Sequence, residues 1–122
     1  MKYAILGAGN VGTAIARAVT TERVQQAAPR ARVVKALYTV FAGNQATAEV
    51  DGTRLDGFVA GDDDDAERVV SDLLGKIGFR TVDVGPLSAA RYLEGLAYLN
   101  IALCARNDLP WQSAWKLVGP IA

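Results

Sequence analysis

The chain has 122 residues, the length of one ordinary domain, and its 13 basic and 13 acidic side chains give a formal net charge of zero. A neutral chain without a basic run argues against nucleic acid as a partner, because phosphate binding needs clustered Lys and Arg. No apolar stretch is long enough to span a membrane and the first apolar run is too short for a signal peptide, so we expect a cytoplasmic protein.

The amino-acid types present narrow the possible chemistry. The sequence has no histidine and a single cysteine, Cys104. This excludes Ser-His-Asp and Cys-His catalytic arrangements and argues against a zinc site. Cys104 lies in an apolar helical pattern and is expected to be a small buried side chain, with a reactive thiol as the alternative. Catalysis would therefore use carboxylates, Tyr, Lys, Arg, backbone amides or a cofactor.

The first predicted elements are a strand and a helix. The apolar run KYAIL predicts a buried strand, and from Asn10 onward apolar residues recur at helical spacing. Pro29 is expected to end the helical region, since proline has no N–H to donate. The region is either one long helix or a helix broken at Thr20-Thr21, where Thr21 would cap a second helix.

A glycine motif joins this strand to this helix. Gly7, Gly9 and Gly12 have the G-x-G-x-x-G spacing, which allows a tight turn, a close approach to a pyrophosphate, and close packing of helix on strand. The full fingerprint also needs Asp or Glu about 20 residues further on. That region carries Arg30 and Arg32 instead. From the residues alone, the motif is either a working dinucleotide site or a structural relic of one.

The rest of the chain alternates strands with helices. ARVVKALYTVFA predicts the second strand, and after the loop GNQATAEVDGTRLDG, FVAG and FRTVDVG predict two more. Between them, DDDDAERVVSDLLGKIG predicts a helix whose apolar face comprises Ala66, Val69, Val70, Leu73, Leu74 and Ile77. PLSAARYLEGLAYLNIALCARND and WQSAWKLVG predict C-terminal helices. The pattern predicts an α/β fold with a reduced Rossmann-like, mostly parallel sheet of about four strands.

We interpret residues 1–122 as a single domain with three parts. Residues 1–28 form the glycine-turn unit, 31–85 hold the remaining strands and one helix, and 86–122 form a helical arm for dimerisation or for closing a pocket. Within the second part lie four consecutive aspartates, of which Asp62 is expected to cap the helix and Asp63 to Asp65 to complement its dipole. Since neighbouring carboxylates on a helix point in different directions, we predict no metal site.

The helical arm has more apolar surface than one face of a small sheet needs. The residues concerned are Leu87, Tyr92, Leu93, Leu96, Tyr98, Leu99, Ile101, Leu103, Trp111 and Trp115. They would complete the core, line a pocket for a flat ligand, or form a homodimer interface, which we favour. Arg91 and Glu94, one helical turn apart, are expected to form a surface pair.

Three residues are candidates for catalysis. Tyr38 is expected near the carboxyl end of the second strand, where open α/β sheets bind ligands. Tyr92 and Glu94 lie on the helical arm. All three carry groups able to orient a small-molecule substrate or to exchange a proton with it.

Several segments resemble the NADP oxidoreductases that depend on coenzyme F420, which pass hydride between NADP and a deazaflavin. They are MKYAILGAGNVGTAIARA, ARVVKALYTVFA, FVAGDDDDAERVVSDLLGKIGFRTVDVGPLSAARYLEGLAYLN and WQSAWKLVG. The resemblance implies that Gly7, Gly9, Asn10, Val11 and Gly12 form the pyrophosphate turn for NADP(H). It also implies an internal truncation after the first helix, which removes the adenosine-binding strands. Tyr38 stands where the family usually has His or Asn, in a strand that borders the deazaflavin site.

Three functions remain open. The first, which the intact glycine turn favours, is an oxidoreductase-like protein with weak or dimer-completed binding of NADP(H) or coenzyme F420. The second is a cofactor-independent cyclase or isomerase that uses the vacated apolar pocket for a small-molecule substrate. The third is a non-catalytic, small-molecule-binding homodimer.

Overall fold

The computed structural model describes residues 2–6 and 21–121, the side chain of residue 22 and those of 2–6 excepted. The strands are β1 (Lys2–Leu6), β2 (Ala31–Ala36), β3 (Glu49–Val50), β4 (Thr53–Arg54), β5 (Asp56–Gly61) and β6 (Arg80–Gly85). The helices are α1 (Thr21–Ala27), α2 (Ala42–Gln45), α3 (Asp64–Ile77) and α4 (Ala90–Asn107), the last preceded by the 3-10 turn Leu87–Ala89. Within this part of the chain, no helix is both long and apolar enough to cross a membrane.

Four of the strands form the main sheet, in the order β1-β2-β5-β6. β1 pairs parallel with β2, β2 antiparallel with β5, and β5 parallel with β6. The mostly parallel sheet predicted from the sequence is therefore confirmed, and β1 takes β2 as its neighbour within the same chain. Because β2 and β5 run in opposite directions, Leu6 and Ala36 lie at the same end of the sheet as Asp56 and Arg80. We call this the glycine-motif end.

The two faces of the sheet are covered by different helices. On one face, α3 packs on the main core, whose buried members are Val34, Ala36, Val40, Ala48, Leu55, Val59, Ala66, Val70, Leu74 and Phe79. On the other face, Ala60 packs with Ala90 and Leu93 of the α4 layer. α1 lies on this second face too, where Gln25 accepts a hydrogen bond from the Val33 amide at 3.2 Å. Successive residues of β2 thus alternate between the two layers.

Helix α3 corrects two expectations. Its N-cap is Asp63, whose carboxylate accepts from the Ala66 amide at 2.8 Å, whereas the predicted cap, Asp62, accepts from the Leu87 amide at 2.9 Å. Of the predicted apolar face only Ala66, Val70 and Leu74 are buried, because the helix meets the small sheet along a single ridge of residues four apart. The other members, Val69, Leu73 and Ile77, are 49%, 48% and 39% exposed.

The loop and the C-terminal segment also differ from the prediction. The expected second strand stops at Ala36, since Leu37 has a φ of 60°, and the following loop contains α2 and the β3–β4 hairpin. The helix expected in WQSAWKLVG does not form: residues 109–121 contain neither helix nor strand. α4 ends at Asn107, its C-cap Asp108 has a left-handed conformation, and Pro110 lacks the N–H needed to continue the helix.

Candidate functional site

A buried lysine occupies the glycine-motif end of the sheet. Its ammonium, Lys35 Nζ, lies 3.5 Å from Glu94 Oε1 and 3.7 Å from the centroid of the Tyr38 ring. The Lys35 side chain is 3% exposed. Glu94 also accepts a hydrogen bond of 3.2 Å from the buried Thr21 hydroxyl. This Lys35 cluster (Lys35, Tyr38, Glu94 and Thr21) therefore joins β2, α1, α4 and the loop after β2.

The electrostatics of Lys35 follow from its surroundings. Burial lowers the pKa of the Lys35 ammonium, and the Glu94 carboxylate opposes this by stabilising the charged form. The ring of Tyr38 adds a cation–π contact, which also favours the ammonium. The cluster thus holds a charged pair with no net charge, next to an aromatic ring.

The structure separates the three predicted catalytic residues. Tyr38 lies just beyond the carboxyl end of β2, as predicted, is 3% exposed, and packs against Ala97 of α4. Lys35 links it to Glu94. Tyr92 is 60% exposed, and its hydroxyl accepts from Arg91 Nη2 at 3.0 Å, so it lies outside the cluster.

The predicted surface pair of Arg91 and Glu94 is wrong. Among the described residues Glu94 forms its ion pair with Lys35, which reaches it from β2. The Arg91 guanidinium instead lies over the Tyr92 ring, 5.0 Å from its centroid. Helical spacing identifies possible neighbours on one helix. Leaving the buried Lys35 ammonium unpaired would cost more free energy than leaving the exposed Arg91 without Glu94, so Glu94 pairs with Lys35.

The predicted cofactor-binding residues Gly7, Gly9, Asn10, Val11 and Gly12 lie outside the described residues. The strand that leads into them is described, and its last residue, Leu6, pairs with Lys35. The chain therefore enters the glycine motif directly beside the backbone of Lys35. Sequence reasoning did not single out Lys35, although a lysine inside the apolar run VVKAL is a signal, since lysine is seldom fully buried without a partner.

A second buried charge lies at the same end of the sheet. Asp56 is 0% exposed and accepts hydrogen bonds from Arg80 Nε and Nη2, both at 2.7 Å, and from Lys116 Nζ and the Leu117 amide, both at 2.8 Å. Burial alone raises the pKa of Asp56, but these bonds outweigh it and hold the pKa at about 2. Since these donors occupy both carboxylate oxygens, Asp56 serves the fold rather than a substrate.

An acidic groove lies beside the N-terminal half of α3. Glu67, Asp64 and Asp83 line a cavity of about 380 Å³ together with Val59, Arg68 and Ser71. Burial, with the nearby charges of Asp83 and Asp64, raises the pKa of Glu67 to about 7. In the part of the chain that the structure describes, no three acidic or cysteine side chains are arranged to hold a metal ion.

The Lys35–Glu94 pair predicts a specific pattern of stabilities. Glu94→Gln leaves a buried ammonium without its counter-charge and should lower the free energy of unfolding by about 3 kcal/mol, whereas Lys35→Met/Glu94→Gln should recover most of that loss. The control is Arg68→Gln, which breaks the exposed Arg68–Asp65 pair and should cost less than about 1 kcal/mol. Urea unfolding measures all three, and equal losses for Glu94→Gln and Arg68→Gln would contradict the burial argument.

Glu67 predicts how stability depends on pH. Its pKa of about 7 in the fold is higher than the ordinary 4.5, so the folded protein binds this proton more tightly and loses stability as pH rises from 4.5 to 7. Glu67→Gln cannot ionise and should have a Tm above that of the unmodified chain at pH 8, with little difference at pH 4. Thermal unfolding followed by circular dichroism measures this. Glu49→Gln, which alters an exposed carboxylate, should leave the pH profile unchanged.

Comparisons with known proteins identify similar folds. No family model matches the chain. Its structure is similar to that of a protein named as a proposed F420-dependent NADP reductase from Arthrobacter sp. FB24, with a TM-score of 0.66 and 31% identity over 72% of this chain and 40% of that one. A hypothetical protein, SMa0349 from Sinorhizobium meliloti, is similar with a TM-score of 0.55 and 25% identity over 73% of this chain and 58% of its own.

In both comparisons this chain spans less than two thirds of the other protein's length. The resemblance found in the sequence is reproduced by the three-dimensional structure. The chain thus has a Rossmann-like α/β fold and is structurally similar to a protein named as a proposed F420-dependent NADP reductase.

Proposed function

We propose that the chain is an oxidoreductase-like protein that binds NADP(H) or coenzyme F420 at the glycine-motif end of its sheet. The observation that carries this proposal is the pairing of Leu6 with Lys35, which brings the entry of the G-x-G-x-x-G motif beside the Lys35 cluster. The similarity to a reductase supports the same class of function.

The described residues fit the flat ring of such a cofactor better than its phosphate groups. The Lys35–Glu94 pair has no net charge, so it adds little attraction for a pyrophosphate, and phosphate contacts would come from backbone N–H groups of the glycine turn. The ring of Tyr38, packed against Ala97, is instead the aromatic surface that would fit a flat ring. When bound, the cofactor supplies the hydride chemistry, while these residues orient the ring and exclude water.

A cofactor-independent cyclase or isomerase is the second candidate. The observation that favours it is that Lys35 and Glu94 form a proton donor and acceptor in a buried setting without any histidine. A buried ammonium whose pKa is lowered can give up its proton to a substrate more readily than an exposed lysine. A small apolar substrate held against Tyr38 would be within reach of this chemistry.

A homodimer is the assembly that we propose for either function. Tyr92, Leu99 and Leu103 are exposed by 60%, 48% and 39% on the outer face of α4, with the exposed Gly95 between them. If two copies of α4 pack antiparallel about Leu99, Tyr92 lies opposite Arg106 of the second copy, and Gly95 lies opposite its Leu103. The cation–π contact and the fit of a leucine over a glycine make this face complementary to itself.

Ligand titration separates the two functions. We expect calorimetry to show saturable binding of NADPH or oxidised coenzyme F420, in the millimolar range if one chain supplies the whole site and tighter if a dimer completes it. Tyr38→Leu should weaken binding at least about tenfold, which corresponds to about 1.4 kcal/mol. The matched control, Tyr98→Leu, alters an exposed tyrosine outside the proposed dimer face and should leave it unchanged. If the unmodified chain binds neither ligand, the redox proposal is wrong and the cofactor-independent enzyme takes its place.

The proposed dimer face predicts which apolar residue controls assembly. Leu99→Glu places two carboxylates together at the two-fold axis and should convert a dimer to a monomer, as measured by light scattering after size-exclusion chromatography. Leu73→Glu is the matched control, because Leu73 on α3 and Leu99 on α4 are both 48% exposed. A monomer before any substitution, or an equal effect of both variants, would refute this interface.

A further inference from the structure

The C-terminal residues cross the molecule as an extended strap, which we define as residues 109–121. The strap has no helix or strand of its own. Its backbone is held by side chains of other elements: Asn44 Nδ2 donates to the Gln112 carbonyl and Asn100 Nδ2 to the Ser113 carbonyl, both at 3.0 Å. In return, Trp115 Nε1 donates to the Leu96 carbonyl at 2.8 Å. The strap therefore lies against both α4 and α2.

These contacts lie close to Tyr38 of the Lys35 cluster. Phe41 and Asn44 follow Tyr38 on the loop beyond β2, and the Phe41 ring meets the Trp111 ring edge to face with centroids 5.7 Å apart. On the other side, Leu96 precedes Ala97, the residue that packs against Tyr38. The strap thus connects the loop that follows Tyr38 with the helix against which Tyr38 packs.

One buried carboxylate secures the far end of the strap. Asp56 accepts from Lys116 Nζ and from the Leu117 amide, both at 2.8 Å. Arg80 is bound to Asp56 and also donates to the Leu117 carbonyl at 2.6 Å. Burial contributes little here, since Leu117 and Val118 are exposed by 45% and 89%. The attachment of this part of the strap depends on Asp56.

We propose that the strap is a closing element over the Lys35 cluster, with Asp56 as its latch, and that it detaches to admit ligand while the sheet stays folded. The proposal rests on the proposed function in placing the ligand at the glycine-motif end. A segment without a backbone ladder and with few buried apolar side chains can open at much lower free energy than the core. Asp56 is a positioning residue in this scheme, because it acts only through the strap.

The sequence provides a selective probe of the strap. The chain has 2 tryptophans, and both, Trp111 and Trp115, lie in the strap. Intrinsic tryptophan fluorescence therefore reports on the strap alone. Asp56→Asn should increase quenching by acrylamide and should speed amide hydrogen exchange at residues 112–117 by about tenfold, with the far-ultraviolet circular dichroism unchanged. Asp72→Asn, which alters an exposed carboxylate on α3, is the control and should change neither quantity.

Tyrosine nitration then tests whether the strap covers the Lys35 cluster, and this experiment needs no cofactor. Tyr38 is 3% exposed, whereas Tyr98, which lies outside the proposed dimer face, is 38% exposed and serves as the internal reference. Asp56→Asn should raise the nitration of Tyr38 relative to Tyr98. If Asp56→Asn fails to fold, Lys116→Gln keeps the Asp56–Arg80 pair and should show the same changes to a smaller extent.

Two results would overturn the proposal. Quenching and exchange that stay at the level of the unmodified chain would show that Asp56 is not the latch. A strap that detaches without greater nitration of Tyr38 would show that it does not close the site. Neither result depends on whether NADPH or coenzyme F420 binds, so failure of the proposed redox function is recognised separately by calorimetry.

Discussion

The antiparallel pairing of β2 with β5 is the constraint on which the rest of the arrangement depends. The glycine-motif strand and β2 run parallel, and so do β5 and β6, but the two pairs run in opposite directions. In an all-parallel sheet Asp56 and Arg80 would lie at the end away from Lys35. Here the reversal brings both buried charges to one end of the sheet, so that the site and the attachment of the C-terminal segment share the same edge.

The two buried charges show how the number of partners separates a reactive group from a structural one. Asp56 has four donors around two oxygens, and its pKa falls to about 2 in spite of burial. Among the described residues Lys35 has one carboxylate at 3.5 Å, and burial still lowers its pKa. A charge with every hydrogen-bonding position filled is fixed in one protonation state, whereas an incompletely compensated one can exchange its proton.

The alternation of strands and helices was predictable from the sequence because each element carries its own hydrophobic period. The main sheet, α3 and α4 follow from it, and so does the position of Tyr38. The local pattern could not show that Lys35 packs against α4, nor that Glu94 forms its ion pair with Lys35 instead of Arg91. Both contacts depend on packing between segments that are distant in the sequence. The local pattern failed at WQSAWKLVG for the same reason: distant side chains, among them Asn44 and Asp56, satisfy that backbone in place of a helix.

The outer strand β6 carries features that disfavour aggregation of the folded protein. A terminal strand has peptide groups that face outward and can pair with another molecule. β6 is outermost on its side of the sheet, and Arg80, Asp83 and a register shift opposite Val59 and Ala60 interrupt it. Charges and irregular register disfavour the addition of a further strand. Edge-to-edge pairing with another sheet is therefore opposed at β6, and the helical surfaces are left as the more favourable place for copies of the protein to meet.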